Sequence, residues 1–101
     1  MREIEKKMVQ AVNNKQNFRL SNTEVRIIEN GVFVALHGNL IFARIGGVDY
    51  YSNAGWNTRT TASRLRALGA DYSTNYKKQN CSLLSKNEML DLYYKKMFNI
   101  Q

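Results

Sequence analysis

One short segment, residues 53–66, holds the residue types best suited to chemistry, among them Trp56, the only tryptophan of the chain. Thr58, Thr60 and Thr61 stand where a helix would begin, and the free N–H groups of a first helical turn attract anions. Arginine binds phosphate through paired hydrogen bonds, and a tryptophan ring stacks on nucleic-acid bases. The segment therefore has the composition of a phosphate-binding surface.

The predicted binding residues combine charge, aromatic stacking and helix capping. Arg59, Ser63 and Arg66 share one side of the predicted helix because they lie at i, i+4 and i+7, whereas Arg64 points elsewhere. A second basic and aromatic group follows within residues 72–78. The full predicted set is Tyr51, Trp56, Arg59, Thr60, Thr61, Arg64, Arg66, Lys77 and Lys78.

Each of these features also has a purely structural interpretation. Threonines in front of a helix are first of all N-caps, and the arginines of a short helix are often its solvated face. Trp56 would then be a core or lid residue, and the group at 72–78 would be an edge strand protected by lysines. The sequence leaves both interpretations open, and with them whether Trp56 is buried.

Catalytic and metal-binding patterns are missing from the sequence. His37 is the only histidine and Cys81 the only cysteine, which excludes a histidine cluster and a disulfide within the chain. The eight acidic residues are dispersed, without the local spacing of a metal site or of an acid–base pair. We therefore expect a protein that is not an enzyme, with no metal and no cofactor.

The charge of the chain favours a polyanionic partner. Fifteen basic and eight acidic residues give a net charge of +7. No acidic residue occurs between Tyr50 and Ala70, where three arginines lie. Such a surface attracts nucleic acid or an acidic protein face, and the alternative is a surface that is merely soluble.

Length and composition predict a single intracellular domain spanning residues 1–101. No apolar run approaches the roughly 20 residues needed to cross a bilayer, so we expect no membrane partner. The charged N-terminal residues 1–7 do not resemble a secretion signal, and a lone cysteine suits a reducing compartment.

Apolar residues at helical spacing predict helices over residues 3–14, 60–68 and 86–98. Ser85 and Glu88 have the spacing of a capping box in front of the last helix. The apolar stripe of that helix is expected to pack into the core, and a homodimer interface is its alternative use. Its members are Met89, Leu92, Tyr93 and Met97.

Alternating apolar residues predict antiparallel strands within residues 23–46, with hairpin turns at Asn30-Gly31 and Gly38-Asn39. Gly46-Gly47 ends the third strand, a short fourth strand follows at 48–51, and a candidate edge strand lies around Tyr76. The predicted fold class is α+β: an N-terminal helix, a three- to four-stranded antiparallel sheet, a short helix, the candidate edge strand and a C-terminal helix. Helices on one face of the sheet would bury all the apolar stripes together.

Residues 18–68 resemble a group of short proteins of tailed bacteriophages. The resemblance is carried by four blocks in the same order, and Phe42 departs from the small residue often found after the isoleucine. It implies a viral protein acting in the host bacterial cytoplasm, and it supplies neither a reaction nor binding residues. The blocks are Ser21-Asn22-Thr23 with Val25, Leu36-His37-Gly38-Asn39-Leu40-Ile41, Gly55-Trp56-Asn57-Thr58-Arg59-Thr60-Thr61, and Arg64-Leu65.

We therefore expect a small basic accessory protein of a phage that binds nucleic acid through phosphate contacts. The alternative is an anti-defence protein, comparable to an anti-CRISPR inhibitor, that binds and blocks a host effector protein. The charge of +7 argues against mimicry of DNA, which needs an acidic surface, but not against inhibition by blocking an interface. The choice between DNA and RNA and the oligomeric state stay open at this point.

Overall fold

Three helices and a five-stranded antiparallel sheet make up the part of the chain that the computed structural model describes, residues 1–72 and 83–98. The helices are α1 (Glu3–Asn13), α2 (Arg59–Ala67) and α3 (Lys86–Met97). The strands are β1 (Phe18–Leu20), β2 (Thr23–Ile28), β3 (Gly31–Leu36), β4 (Asn39–Ile45) and β5 (Val48–Tyr51). They pair in chain order as a meander, which confirms the predicted α+β class.

Helices cover both faces of the sheet, so the expectation that they share one face is wrong. Helices α1 and α2 pack against one face, around Val32, Val34 and Phe42. Helix α3 packs against the other face, around Phe33 and Ala43. The reason is that every residue of β3 is buried, and a strand with apolar side chains on both faces needs a layer on each side.

The three predicted helices are confirmed to within one residue at each end. The Thr58 hydroxyl accepts the N–H of Thr61 at 3.1 Å and begins α2, as expected from its position. The Ser85–Glu88 capping box is also present. Strand β1 was not predicted, because three residues are too few to show an alternating pattern. The candidate strand around Tyr76 lies outside the described residues.

The β2–β3 turn lies one residue earlier than predicted. Glu29 and Asn30 occupy its central positions with φ angles of 50° and 67°, and Gly31 already pairs with Ile28 as the first residue of β3. Glycine is needed at 31 because of close approach: a Cβ atom there would lie 3.2 Å from the Ile28 carbonyl oxygen and 3.2 Å from the Phe33 ring. The hairpin is a two-residue turn with both residues left-handed, which matches the strand twist.

The β3–β4 turn is shifted in the same way. His37 and Gly38 are its central residues, with φ angles of 52° and 79°, and Asn39 pairs with Leu36. The Gly46-Gly47 turn lies where it was predicted. The shift has a consequence for the site, because it places His37 at the tip of a hairpin, where its side chain is exposed.

No helix in the described part of the chain is long and apolar enough to cross a membrane.

We expect the packing of α3 against the sheet to contribute to the stability of the fold. Two methionines of this helix, one buried and one exposed, test this expectation. Met89 is fully buried and Met97 is 42% exposed. We expect Met89→Ala to lower the free energy of unfolding by about 2–5 kcal/mol through lost burial and a residual cavity. Met97→Ala should change it by less than about 1 kcal/mol. Urea unfolding of dilute protein, followed by far-UV circular dichroism, measures both, and equal losses would contradict the two-layer core.

Candidate functional site

A buried ion pair joins α1 to α2. The Nη1 atom of Arg64 lies 2.8 Å from Oε2 of Glu5, and each side chain is 3% exposed. The same carboxylate oxygen accepts the hydroxyl of Ser63. The guanidinium also donates from Nε to the Thr23 hydroxyl at 3.1 Å, and from Nη2 to the Asn22 side chain at 3.4 Å. One arginine thus fastens α2 to both α1 and the start of β2.

The expectation that Arg64 supplies surface charge for phosphate contacts is therefore wrong. Its guanidinium is buried and donates hydrogen bonds to Glu5, Thr23 and Asn22, so it presents no charge to a partner. Removing Arg64 would leave the Glu5 carboxylate buried and unpaired, which is strongly destabilising. A substitution at this position reports on folding rather than on binding.

The environment of Glu5 favours its ionised form. Burial opposes ionisation of the carboxyl and raises its pKa, but hydrogen bonds from Ser63, Arg64 and the backbone N–H of Arg2 lower it. The hydrogen bonds and the charge of Arg64 prevail, so the pKa of Glu5 lies below its ordinary value of 4.5. The folded state therefore gains stability from ionised Glu5 at neutral pH.

Two more of the predicted binding residues are engaged in the core. Thr61 is 2% exposed, and its hydroxyl shares a hydrogen bond of 2.9 Å with that of Thr58. The ring of Tyr51 packs against Phe42 with centroids 5.5 Å apart, and its hydroxyl donates to the Leu68 carbonyl. The predicted roles of Thr61 in anion binding and of Tyr51 in base stacking are therefore not supported by their placement, since both serve packing.

Trp56 stands out from the surface. Its side chain is 60% exposed, which answers the question of its burial. The turn before it explains the exposure: Ala54 and Gly55 adopt φ angles of 54° and 83°, and the Trp56 N–H closes the turn on the Asn53 carbonyl at 2.8 Å. The chain reverses there so that the next side chain points outward.

Buried Tyr72 holds this turn from below. Its hydroxyl donates to the side-chain oxygen of Asn57 and accepts from the side-chain nitrogen of Asn53 at 3.4 Å. Both ends of the turn that presents Trp56 are thus tied to one core residue. Tyr72, which the sequence grouped with surface lysines, is 2% exposed and belongs to the core. Trp56 is consequently exposed on a backbone that is fixed at both ends.

A cleft of about 310 Å³ opens beside Trp56, between the β3–β4 turn and the start of α2. We refer to it as the Trp56 cleft. Its apolar wall consists of Leu36, Ile41, Ala54 and Trp56, and its polar rim of His37, Asn39, Asn53 and the threonines that begin α2. Polar groups around a mainly apolar hollow are the usual arrangement of a site for a small or flat ligand.

The remaining predicted residues fall into two groups. Thr60 lines the Trp56 cleft, and Arg59 is exposed at the first position of α2. Arg66 is exposed about 10 Å further along the same side of the helix, where it donates to the Tyr72 carbonyl at 3.3 Å. Lys77 and Lys78 lie outside the described residues. Among the predicted residues, Trp56, Thr60 and Thr61 line the Trp56 cleft, and Arg59 is exposed one position before Thr60. Arg64 and Tyr51 are engaged in internal contacts instead.

Sequence reasoning missed the contribution of the β3–β4 hairpin to this site. His37 and Asn39 line the cleft, and neither belongs to the predicted set of binding residues. The available signal was the block Leu36–Ile41, which stands beside the tryptophan block among those that carry the resemblance described above. The two blocks meet in space because β5 runs antiparallel to β4 and returns the chain to the end of the sheet that carries the β3–β4 turn.

A metal centre is not formed by the side chains that the structure places. Within residues 1–72 and 83–98, no group of three or more histidine, cysteine, aspartate or glutamate side chains is arranged to hold a metal ion.

The chain matches the model of a known protein family. A family model described as Kyanoviridae Gp96 protein matches residues 1–99. No curated protein and no solved structure matches the chain.

Stability should depend on pH through Glu5, because its pKa is lower in the folded than in the unfolded state. The contribution of ionised Glu5 is present above the unfolded value of 4.5 and is lost as the pH falls through the folded value. We expect Glu5→Gln, which leaves Arg64 buried without its counter-charge, to lower the free energy of unfolding by about 3–5 kcal/mol near neutral pH.

Urea unfolding at about pH 7 and about pH 3.5 checks this expectation, since the difference between wild type and Glu5→Gln should shrink at the lower pH. Glu3→Gln is the matched control, an exposed glutamate two residues earlier in the same helix. An undiminished difference at the lower pH, or an equal loss from Glu3→Gln, would show that the carboxylate of Glu5 does not stabilise the fold.

Proposed function

The chain belongs to the Kyanoviridae Gp96 family of bacteriophage proteins, and we propose that it binds nucleic acid in the cytoplasm of the host bacterium, without catalysing a reaction. Phosphate contacts would come from the exposed arginines of α2, and aromatic stacking from Trp56. The observation that carries this proposal is an exposed tryptophan followed three residues later by an exposed arginine, on a stretch of chain that contains no acidic residue.

The placement of Trp56 supports a role in binding. A tryptophan side chain buries more apolar surface than any other residue, so 60% exposure on a fixed turn forgoes considerable stabilisation. Arg59 follows three residues later and is also exposed. A flat apolar ring next to a cation is the combination that binds a base and its phosphate together.

Ion pairs within the chain neutralise some of its charged side chains and leave a basic surface. In the described part of the chain, arginines pair with acidic residues as Glu5–Arg64, Glu24–Arg26 and Asp49–Arg44. Each of these pairs is neutral and leaves the net charge unchanged. The whole net charge of +7 is therefore carried by a smaller set of side chains, most of which are exposed where the structure describes them. Such a surface attracts the phosphate backbone.

The geometry favours single-stranded over double-stranded nucleic acid. A base can stack on Trp56 only when it is not paired and stacked within a duplex. The Trp56 cleft is of a size for one flat ring, and the amide and imidazole groups of its rim offer hydrogen-bond partners for base edges. Arg59 and the first turn of α2 would then meet the neighbouring phosphate.

The apolar wall of the Trp56 cleft favours a second candidate, an anti-defence protein that binds a host effector. Tryptophan is among the residues that dominate protein interfaces when it is buried at their centre. This candidate predicts a stoichiometric complex with one host protein that survives nuclease treatment and is lost in Trp56→Ala. A complex that nuclease dissolves would instead support nucleic-acid binding.

The proposal predicts different effects for the arginine and the tryptophan. We expect Arg59→Glu to weaken binding to single-stranded oligonucleotides. It should also reduce the slope of log K against log salt concentration by an amount that corresponds to about one phosphate contact or more. Trp56→Ala should weaken binding by about 5- to 150-fold and leave the salt dependence unchanged, since stacking involves no counter-ions. Fluorescence anisotropy of labelled DNA and RNA over a range of salt concentrations measures both quantities.

Lys86→Glu is the matched control for charge. It makes the same charge change at an exposed first position of a helix, but on α3, which covers the opposite face of the sheet. Its effect should be at most a few-fold. Quenching of the emission of Trp56, the only tryptophan, on binding would report stacking directly. Absence of binding at physiological salt, or equal weakening by Lys86→Glu and Arg59→Glu, would overturn the proposal.

A further inference from the structure

Helix α3 has a second apolar stripe, which points away from the sheet. Leu90, Tyr94, Met97 and Phe98 lie at i, i+4, i+7 and i+8 and therefore share one side of the helix. Tyr94, Met97 and Phe98 are 48%, 42% and 64% exposed, and Leu90 is half-buried at the margin. We call these four residues the outer stripe. It is distinct from Met89 and Tyr93, which are buried against the sheet.

The rings of the outer stripe are already ordered. Tyr94 and Phe98 stack with centroids 6.2 Å apart and planes 25° apart. Tyr94 also contacts buried Tyr93 edge to face at 5.8 Å, which fixes it to the core. An aromatic surface that is ordered before binding loses little side-chain entropy when a partner covers it. Contiguous exposed apolar surface of this kind marks an interaction site.

The charges along one edge of the outer stripe have a polarity along the helix. Glu88, Asp91 and Lys95 lie at i, i+3 and i+7 and form a row along one edge of the stripe. The row is acidic towards the N-terminus of α3 and basic towards its C-terminus. A second α3 running antiparallel would place each Lys95 near the acidic half of the other row, whereas in a parallel pair the two rows would lie on opposite sides of the interface and would not meet.

We propose that the outer stripe is a homodimer interface, in which two copies of α3 pack antiparallel about a two-fold axis. The charge row is complementary to itself only in that arrangement, and a two-fold contact uses the same patch on both subunits. One helix of twelve residues buries a modest area, so the dimer forms reversibly at roughly micromolar concentration. Because α2 and the Trp56 cleft lie over the opposite face of the sheet, the two clefts of a dimer would stay accessible.

Sedimentation equilibrium over about 1–300 µM tests the interface, with a dissociation constant in that range expected for the wild type. The apparent mass should rise from 11.7 kDa towards twice that value. Tyr94→Glu should weaken the dimer by about tenfold or more. Val48→Glu is the matched control, an apolar residue that is 51% exposed on strand β5, and it should leave association unchanged.

A charge swap tests the antiparallel orientation. Asp91→Lys alone and Lys95→Glu alone each oppose like charges across the two-fold axis, so each should weaken association. The double variant Asp91→Lys, Lys95→Glu restores opposite charges and should recover wild-type association. Thermal unfolding by circular dichroism confirms that every variant is folded.

Three results would overturn the proposal: a monomer at every concentration, equal weakening by Tyr94→Glu and Val48→Glu, or a double variant that associates no better than the singles. These results are independent of nucleic-acid binding. Tyr94→Glu and the wild type should bind an oligonucleotide that is long enough for only one protein with the same affinity.

Discussion

The packing of α1 against α2 depends on a buried arginine that needs a counter-charge and hydrogen-bond acceptors. Arg64 can lie inside the protein only because Glu5, Thr23 and Asn22 accept its hydrogen bonds. In the part of the chain that the structure describes, no buried side-chain nitrogen or oxygen lacks a hydrogen-bond partner. An apolar pair of the same volume would hold the helices as firmly, but it would tolerate many relative positions. The ion pair has its hydrogen bonds satisfied in the observed register of α2 against α1.

That register determines the geometry of the candidate site. Helix α2 begins at Thr58, directly after the turn that presents Trp56, so fixing the helix also fixes the direction from which the chain enters it. Tyr72 fastens the same turn from the core side. The Trp56 cleft is therefore bounded by a helix, a hairpin and a turn that are each held by contacts away from the cleft itself. A site of this kind keeps its shape when its lining residues are varied.

Local features of the fold could be predicted from the sequence, and features that depend on distant residues could not. Helix α3 and its capping box are encoded within a few residues, as is the start of α2 at Thr58. The burial of Arg64 is not, because its counter-charge lies 59 residues earlier in the chain. Arg59 and Arg66 were placed correctly on the surface by helical spacing alone. For the second layer of the core the signal was present: Phe33 and Ala35 alternate with the valines of β3, and a strand apolar on both faces predicts helices on both faces.

The distance in sequence between Glu5 and Arg64 has a consequence for the order of events during translation. The meander pairs strands that are neighbours in the chain, but α1 contains a carboxylate whose buried counter-charge is absent until Arg64 has been synthesised. At ordinary elongation rates the interval is about 3 to 12 seconds. For that time one face of the nascent sheet lacks the helix pair that buries it, and the other face is covered later still, by α3.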